Sequence, residues 1–262
     1  MATTYKGARA SVGRVTATPS TAPSHALPRS ALMACWLDAC LRGLAPPDEL
    51  ADAVRGDDPR HLLVLGEGTA VPLVEAPGRL AGLGAASARL AMPGPGDPAG
   101  LAGPPAFNAA ALEAGEAVLV PGSGLGLVPR VDARTMLWEA LAAETAPLLD
   151  PGESAATLRR TLLDVTGRLV ALDVASWQPE IPDLLLNLRH REDVALPPHV
   201  DPRRVETVER AVLCREIVAL AMVDEGGAVS SYEMGQRRAA LADLDRAARR
   251  ALVAACSDSC TG

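Results

Sequence analysis

The spacing of apolar residues changes near residue 150, and this change limits the fold more than any other feature of the sequence. Beyond it, apolar residues recur at intervals of three and four, as they do on one face of a helix. The clearest stripe consists of Leu158, Leu162, Val165, Leu169 and Leu172. Before it, apolar residues form short runs bounded by glycine and proline, a pattern typical of strands and short helices. We therefore predict an α/β or α+β domain with a small sheet over residues 28–148 and a helical bundle over 149–257.

Both ends of the chain are expected to lie outside these domains. Residues 1–27 are rich in alanine, threonine, serine and proline and have no apolar period, which predicts a disordered tail. No acidic residue precedes Asp38, a composition shared by organelle transit peptides, but the segment has no convincing apolar region. We therefore prefer the disordered tail to a targeting segment. Residues 258–262 are expected to fray.

Turn and capping residues place the elements of the first domain. Helices are predicted from Ser30, a candidate N-cap, and from Pro46 to a stop at Gly56, with another from the candidate N-cap Asn108. The segment Pro93–Phe107 is too rich in proline and glycine for regular structure and is interpreted as a functional or flexible loop. A strand that turns into a helix is predicted at residues 71–84, and further strands at 62–65, 87–93, 117–120 and 125–131.

The second domain is predicted to contain four helices. A short helix over 179–190 follows the stripe described above, and a longer one over 202–224 ends at the glycines of 225–227. The last helix is predicted to start at a capping box formed by Ser230 and Glu233. The ion pairs predicted for its outer face are Glu233–Arg237 and Asp245–Arg249.

Charge, hydropathy and cysteine usage limit the classes of partner. The net charge of −7 argues against a nucleic-acid-binding protein, which normally carries a basic field. No stretch approaches about 18 uninterrupted apolar residues, so no membrane span is expected. The five cysteines follow no familiar framework: Cys35 and Cys214 are interpreted as small buried hydrophobes, and Cys256 and Cys260 fit a zinc-ligand spacing only loosely. We expect reduced thiols in a cytoplasmic protein, and neither a bound metal nor a cofactor.

The stretch EAVLVPGSGLGLVPRV, Glu116–Val131, looks most like a binding site because three glycines follow a predicted strand. A dinucleotide-binding fingerprint needs G-x-G-x-x-G followed by a helix, whereas a strand is predicted here, and no Gly-Lys-Ser/Thr follows. We therefore predict a loop that only reverses the chain. The alternative is an anion site that uses loop N–H groups and a nearby arginine. Its candidate ligand-binding residues are Gly122, Ser123, Gly124, Gly126 and Arg130.

Two other segments have functional alternatives. The helix pair over 220–241 could present Gln236, Arg237 and Arg238 to DNA, but its first helix is too long for a helix-turn-helix and both helices are acidic. His190 begins a charged segment that also contains Glu192, Asp193 and His199, and a charged surface loop is the commoner outcome. The common hydrolase and zinc-enzyme motifs do not occur in the sequence. The sequence therefore does not support an enzyme, but it does not exclude one, because catalytic residues can be scattered along a chain.

Two segments, DDPRHLLVLGEG and PPAFNAAALEAGEAVLVPGSGLGLVPRV, resemble uncharacterised proteins of high-GC actinobacteria, as does the composition rich in alanine, arginine, glycine and proline. This resemblance covers most of the chain beyond the tail. It implies no activity, cofactor or site.

Two organised apolar halves without an assembled catalytic motif favour a non-catalytic interaction or regulatory protein. Its expected partner is another protein or a second copy of the chain. Two alternatives stay open: an enzyme or sensor that binds a small anionic ligand in the sheet domain, and a DNA-associated regulator.

Overall fold

A mixed sheet of six strands forms the centre of the N-terminal part of the chain. The computed structural model describes residues 27–56, 60–66, 68–171, 195–223 and 231–257. The strand order is β2-β1-β6-β5-β4-β3, in which β1 and β6 run parallel and every other neighbouring pair is antiparallel. The strands are β1 (Arg60–Leu65), β2 (Thr69–Pro72), β3 (Arg89–Ala91), β4 (Ala117–Val120), β5 (Leu125–Asp132) and β6 (Thr135–Ala142).

Several sequence predictions lie outside the described residues. They are the tail up to residue 26, Leu172 in the apolar stripe, the helix at 179–190, the charged residues at 190–193, the glycines at 225–227, the capping residue Ser230 and the terminus at 258–262. The described ranges contain the other predicted elements.

Two predicted N-caps are wrong because proline residues start the helices instead. Ser30 lies inside α1 and Asn108 lies inside α4, with Pro28 and Pro104 at the capping positions. Proline holds φ near the helical value and has no N–H to leave unpaired, so it suits the first turn. The helices of this part are α1 (Arg29–Leu41), α2 (Pro47–Arg55), α3 (Ala76–Gly82) and α4 (Pro105–Ala114).

Glu116, which precedes β4, binds the first turn of α1. Its Oε2 accepts a hydrogen bond from the backbone N–H of Ser30 at 3.0 Å, one of the donors that a helix start leaves without a partner inside the helix. Burial raises the pKa of Glu116, and the hydrogen bonds from Ser30 oppose this rise. A carboxylate at this position also interacts favourably with the helix dipole.

Long helices form the described part of the chain after residue 150. They are α5 (Pro151–Ala171), α6 (Pro202–Val223) and α7 (Ser231–Ala255), and α7 packs against both of the others. Asp150 caps α5, because its Oδ1 accepts a hydrogen bond from the backbone N–H of Glu153 at 2.6 Å. The predicted fold class, a small sheet with short helices followed by helices, is confirmed. Across the described helices, no segment combines the length and hydropathy that crossing a membrane requires.

Two hydrophobic clusters lie on opposite faces of the sheet. The larger one contains Leu63 and Trp138 from the sheet, Leu37 from α1 and Leu244 from α7. The apolar core is therefore continuous across residue 150. The smaller cluster places Phe107 of α4 against β3, β4 and β5. One face of the sheet thus packs against α1 and α7, and α4 covers the β3–β5 part of the other face.

Two arginines predicted for the outer face of α7 are buried, so that part of the prediction is wrong. Arg249 keeps its predicted partner Asp245 at 2.8 Å, and it also donates to the carbonyl oxygen of Met92 at 2.8 Å. Arg237 donates to the carbonyl oxygen of Ala221 at 2.6 Å. Spacing of i,i+4 predicts a local ion pair but not the neighbouring element that covers it.

Ser257, the second residue after the end of α7, covers the outer edge of β3. The backbone N–H of Leu90 donates to Oγ of Ser257 at 2.9 Å, and the Ser257 hydroxyl is 3.3 Å from the carbonyl oxygen of Leu90, to which it donates. One buried serine thus pairs two backbone groups that an edge strand would otherwise expose.

Candidate functional site

The glycine loop joins the antiparallel strands β4 and β5 as a tight turn. Gly122 has φ of 92° and Gly124 has φ of 68°, values that favour glycine because a Cβ is strained there. The Ser123 hydroxyl donates to the carbonyl oxygen of Val120 at 2.7 Å and accepts from the backbone N–H of Leu125 at 3.2 Å. Its polar atoms are therefore used within the turn.

Neighbouring segments contact the loop through their backbones. The N–H of Ala86 donates to the carbonyl oxygen of Pro121 at 3.0 Å, and the N–H of Ala143 donates to that of Gly124 at 2.9 Å. These contacts hold the turn against the segment after α3 and against the residues that follow β6. A rigid turn in this position matches the predicted chain reversal.

The structure brings Gly122, Ser123 and Gly124 into one turn but separates them from the other two candidate ligand residues. Gly126 lies within β5, where a Cβ would overlap the ring of Phe107. Arg130 is five residues beyond Leu125 along β5, a distance of about 17 Å. Its Nε donates to Oε1 of Glu139 on β6 at 2.6 Å. The arginine and the loop N–H groups therefore do not face one site.

Arg130 instead shares a row with apolar residues on the second face of the sheet. The strand register aligns Pro72, Leu62, Leu137 and Arg130 across β2, β1, β6 and β5. The next row on the same face contains Val64 and Glu139. Side chains alternate between faces along each strand, so both rows point away from the larger core cluster.

We call the residues Leu62, Val64, Leu137, Arg130 and Glu139 the open face. Its three aliphatic side chains are partly exposed and belong to neither core cluster of the described residues. The Arg130–Glu139 ion pair borders them, with side chains 52% and 36% exposed. Helix α4 covers the neighbouring strands of this face, where Val128 and Leu119 join its cluster.

A cleft of about 540 Å³ lies beside the open face, between α2 and the ends of β1 and β2. We call it the α2 cleft. It combines charged side chains with an apolar wall. Its lining residues are Asp48, Ala51, Asp52, Arg55, Arg60, His61, Leu62, Pro72, Leu73 and Val74. Because Leu62 and Pro72 belong to the first row described above, the cleft and the open face are continuous.

His61 lines the α2 cleft and is only 8% exposed. Its Nε2 is 3.1 Å from the carbonyl oxygen of Arg55, and the indole N–H of Trp138 donates to its Nδ1 at 3.4 Å. This pattern assigns the neutral tautomer with the proton on Nε2. Burial lowers the pKa of His61, which the Arg55 carbonyl partly offsets. Both ring nitrogens are therefore used in structural contacts.

The other charges of the α2 cleft have both signs. Asp52 and Arg55 form an ion pair at 2.6 Å, with both side chains more than half exposed. Asp48 and Arg60 also line the cleft and are exposed. Two acidic and two basic side chains give the cleft no strong preference for anions. Sequence reasoning did not identify this site, although an acidic helix followed by Arg60–His61 was visible.

The helix pair considered for DNA contact uses one of its arginines internally. Arg237 is buried and contacts Ala221, as described above, whereas Gln236 and Arg238 are exposed. The turn between these helices lies outside the described residues. His199, named in the sequence as a charged-loop residue, lies in an exposed turn before α6.

A buried ionic cluster fastens the Pro93–Phe107 loop to α7. The fully buried Asp97 carboxylate accepts from Arg250 Nη2 at 2.9 Å and lies 3.4 Å from Arg249 Nη1. A Cβ on Gly94 would meet the Arg249 guanidinium at 2.7 Å, so the glycine allows the close approach. These contacts indicate a structural role. Among the described residues, no three His, Cys, Asp or Glu side chains form a metal site.

Comparison with known families gives a match for each half of the chain. Residues 30–151 match the Rv1486c-like protein, N-terminal domain, and residues 152–253 match the Rv1486c-like protein, C-terminal domain. These descriptions name no function, and they agree with the resemblance to actinobacterial proteins. Searches of curated proteins and of solved structures gave no match.

Proposed function

We propose that this chain, which belongs to the Rv1486c-like proteins, is a cytoplasmic, non-catalytic binding protein that holds a partner protein on the open face. The observation that carries the proposal is the position of Leu62, Val64 and Leu137. All three are aliphatic and lie side by side on two central strands, and they join neither of the core clusters that the described residues form. Contiguous apolar surface of this kind marks interaction sites on soluble proteins.

The surroundings of these side chains resemble the border of a protein interface. Interfaces combine an apolar centre with a polar rim that stays hydrated. Arg130 and Glu139 supply charges of both signs on one side, and Arg60 at the α2 cleft supplies another charge nearby. Mixed charges suit a protein surface better than a nucleic acid, which requires a basic field.

The test compares an open-face variant with an equally apolar control. Leu137→Lys places a charge in the centre of the open face, whereas Leu163→Lys changes a leucine on α5 that is 75% exposed. Affinity purification from the native cell followed by cross-linking identifies partners and the residues they touch. We expect Leu137→Lys to weaken binding of the recovered partner more than tenfold, about 1.4 kcal/mol, and Leu163→Lys to leave it unchanged.

Thermal melts of both variants separate lost binding from lost folding. If Leu137→Lys keeps the parent's melting temperature and the partner still binds with full affinity, the open face is not the interface. Sedimentation velocity of the purified parent distinguishes a second copy of the chain from a different protein.

A small anionic ligand bound in the sheet domain is the second candidate. Within the α2 cleft Arg55 is already paired with Asp52, so Arg60 is the cation to test. Recovery of a tightly bound metabolite without a protein partner, and loss of that metabolite in Arg60→Ala, would reverse the ranking. DNA binding that weakens steeply with salt would favour the third candidate, a DNA-associated regulator.

A further inference from the structure

Two charges of opposite sign border the α2 cleft without an ion-pair partner among the described residues. Asp52 and Arg55 neutralise each other at 2.6 Å, whereas Asp48 and Arg60 form no ion pair within the described ranges. Both of these side chains are exposed. The cleft therefore offers one acidic and one basic group to a ligand.

These two groups come from opposite ends of α2. Asp48 is in the first turn of the helix, which ends at Arg55. Nε2 of His61 is 3.1 Å from the carbonyl oxygen of Arg55, so the start of β1, where Arg60 precedes His61, lies beside the last turn of α2. A helix rises about 1.5 Å per residue, so the backbones that carry the acidic and the basic group are roughly 10 Å apart.

One wall of the α2 cleft is apolar. It is formed by Leu62 of β1, by Pro72 of β2, and by Leu73 and Val74 of the single helical turn after β2. Val74 is 42% exposed, so part of this wall is in contact with water. An apolar group that covers this wall removes apolar surface from water, which favours binding.

We infer that the α2 cleft binds an extended segment of the partner protein in which a basic and an acidic side chain flank an apolar one. The basic side chain pairs with Asp48, the acidic one pairs with Arg60, and the apolar one packs on Val74 and Leu62. This inference rests on the proposed function, because the cleft is continuous with the open face.

The size of the α2 cleft favours an extended segment over a helix. A strand advances about 3.3 Å per residue and places every second side chain on the same face, so residues i, i+2 and i+4 span about 13 Å. A helix of about 10 Å in length and width occupies roughly 800 Å³, more than the cleft volume of about 540 Å³. We therefore expect the two charges at i and i+4 and the apolar side chain at i+2.

Charge complementarity distinguishes this segment from the other candidate ligands. A small anion would pair with Arg60, but the Asp48 carboxylate at the other end of the cleft would have no matching charge. A nucleic acid requires a basic field, whereas Asp48 and Asp52 both line the cleft. A segment with one charge of each sign matches both ends.

The test titrates the isotope-labelled, full-length protein with capped peptides and follows the backbone amides of the cleft by NMR. Two peptides carry opposite charges, Lys-Ser-Leu-Ser-Glu and Glu-Ser-Leu-Ser-Lys, and two carry like charges, Lys-Ser-Leu-Ser-Lys and Glu-Ser-Leu-Ser-Glu. We expect one opposite-charge peptide to bind at least about threefold more tightly than either like-charge peptide. Each like-charge peptide loses one exposed ion pair and gains a repulsion.

Charge reversal at either end of the cleft should change the preferred peptide. Arg60→Glu should favour the doubly basic peptide, and Asp48→Lys should favour the doubly acidic one. Glu49→Lys changes the same turn of α2 outside the cleft lining, and Arg134→Glu changes the turn between β5 and β6. Both controls should keep the parent's preference. Partial unfolding would weaken the binding of every peptide and would not reverse the order.

Three results would overturn the inference. They are equal binding of the four peptides, an unchanged preference in Arg60→Glu, and no shift of the cleft amides with any peptide at about 5 mM. Tightest binding of the doubly acidic peptide by the parent would also overturn it, in favour of a small anionic ligand. Failure of the proposed function is observed separately, because Leu137→Lys is assayed with the recovered partner and without these peptides.

Discussion

Replacing Gly122 by alanine tests whether the glycine loop is a structural turn. Gly122 has φ of 92°, and a Cβ there would overlap the carbonyl oxygen of Gly84. Gly124, two residues later, has φ of 68° but no atom within 4 Å of its Cβ position. The two glycines therefore share the backbone conformation and differ in the space around them. Gly124→Ala is the matched control.

The expected losses follow from these two contributions. Alanine at positive φ costs roughly 1 kcal/mol, so Gly124→Ala should lower the free energy of unfolding by about that amount. Gly122→Ala adds a steric term, because the Gly84 carbonyl must move. That movement strains the nearby hydrogen bond from Ala86 N–H to Pro121, and overpacking of this kind costs typically 1–3 kcal/mol. We expect a total loss of about 3 kcal/mol.

Urea unfolding followed by tryptophan fluorescence measures both losses, since Trp138 lies in the core. Equal losses for the two variants would refute the argument that contact with Gly84 holds the turn. A nucleotide panel in the same melts tests the anion alternative. If a nucleotide raises the melting temperature of the parent but not that of Arg130→Ala, the loop is an anion-binding site and the interpretation as a purely structural turn is wrong.

Three further predictions concern buried ionisable groups. Asp97→Ala should lower the free energy of unfolding, measured in urea, by about 3 kcal/mol, because the buried Arg249 guanidinium loses one of its carboxylate partners. Arg250→Ala should cost less than about 1 kcal/mol, because the Arg250 side chain is 52% exposed. Equal losses for the two variants would contradict this reasoning. The pKa of His61 is lowered in the folded state, so on acidification the unfolded chain takes up a proton at this histidine before the folded chain does, and the free energy of unfolding should fall as pH drops below 6.5 towards the folded-state pKa. In urea titrations at several pH values, His61→Gln should reduce this dependence of stability on pH. The pKa of Glu116 is raised in the folded state, so the folded chain keeps the Glu116 proton to a higher pH than the unfolded chain does, and the free energy of unfolding should fall as pH rises from 4.5 through the folded-state pKa. A Glu116→Gln variant whose stability depends on pH as the parent's does would contradict this prediction.

Local patterns predicted most elements but not strand β6. Its sequence, TMLWEALA, contains residues with high helix propensity and has apolar side chains on both faces. Met136 and Trp138 enter the larger core, while Leu137 lies on the open face and Leu141 packs under α4. Strict alternation of apolar and polar residues is therefore absent, and periodicity could not identify a strand that β1 and β5 enclose.

The candidate site depends on contacts that a single sequence does not display. The glycine loop was visible because its glycines are adjacent, and its turn conformation followed from the strands on either side. The open face arises because β1 and β6 pair in parallel, which aligns Leu62 with Leu137 across 75 residues. The burial of Arg249 depends in the same way on Asp97, 152 residues earlier. The spacing of residues within one short segment contains no information about either of these long-range contacts.

The outer edge of β3 is covered late in biosynthesis, because Ser257 is synthesised long after Leu90. Leu90 and the serine that covers its backbone are separated by 167 residues. At the usual synthesis rates of about 5–20 residues per second, the edge of β3 waits roughly 10–30 s for its cover. During this interval a nascent chain presents an unpaired strand edge, a template for association with other chains. The edge of β3 is therefore one of the last parts of this fold to gain its cover during synthesis.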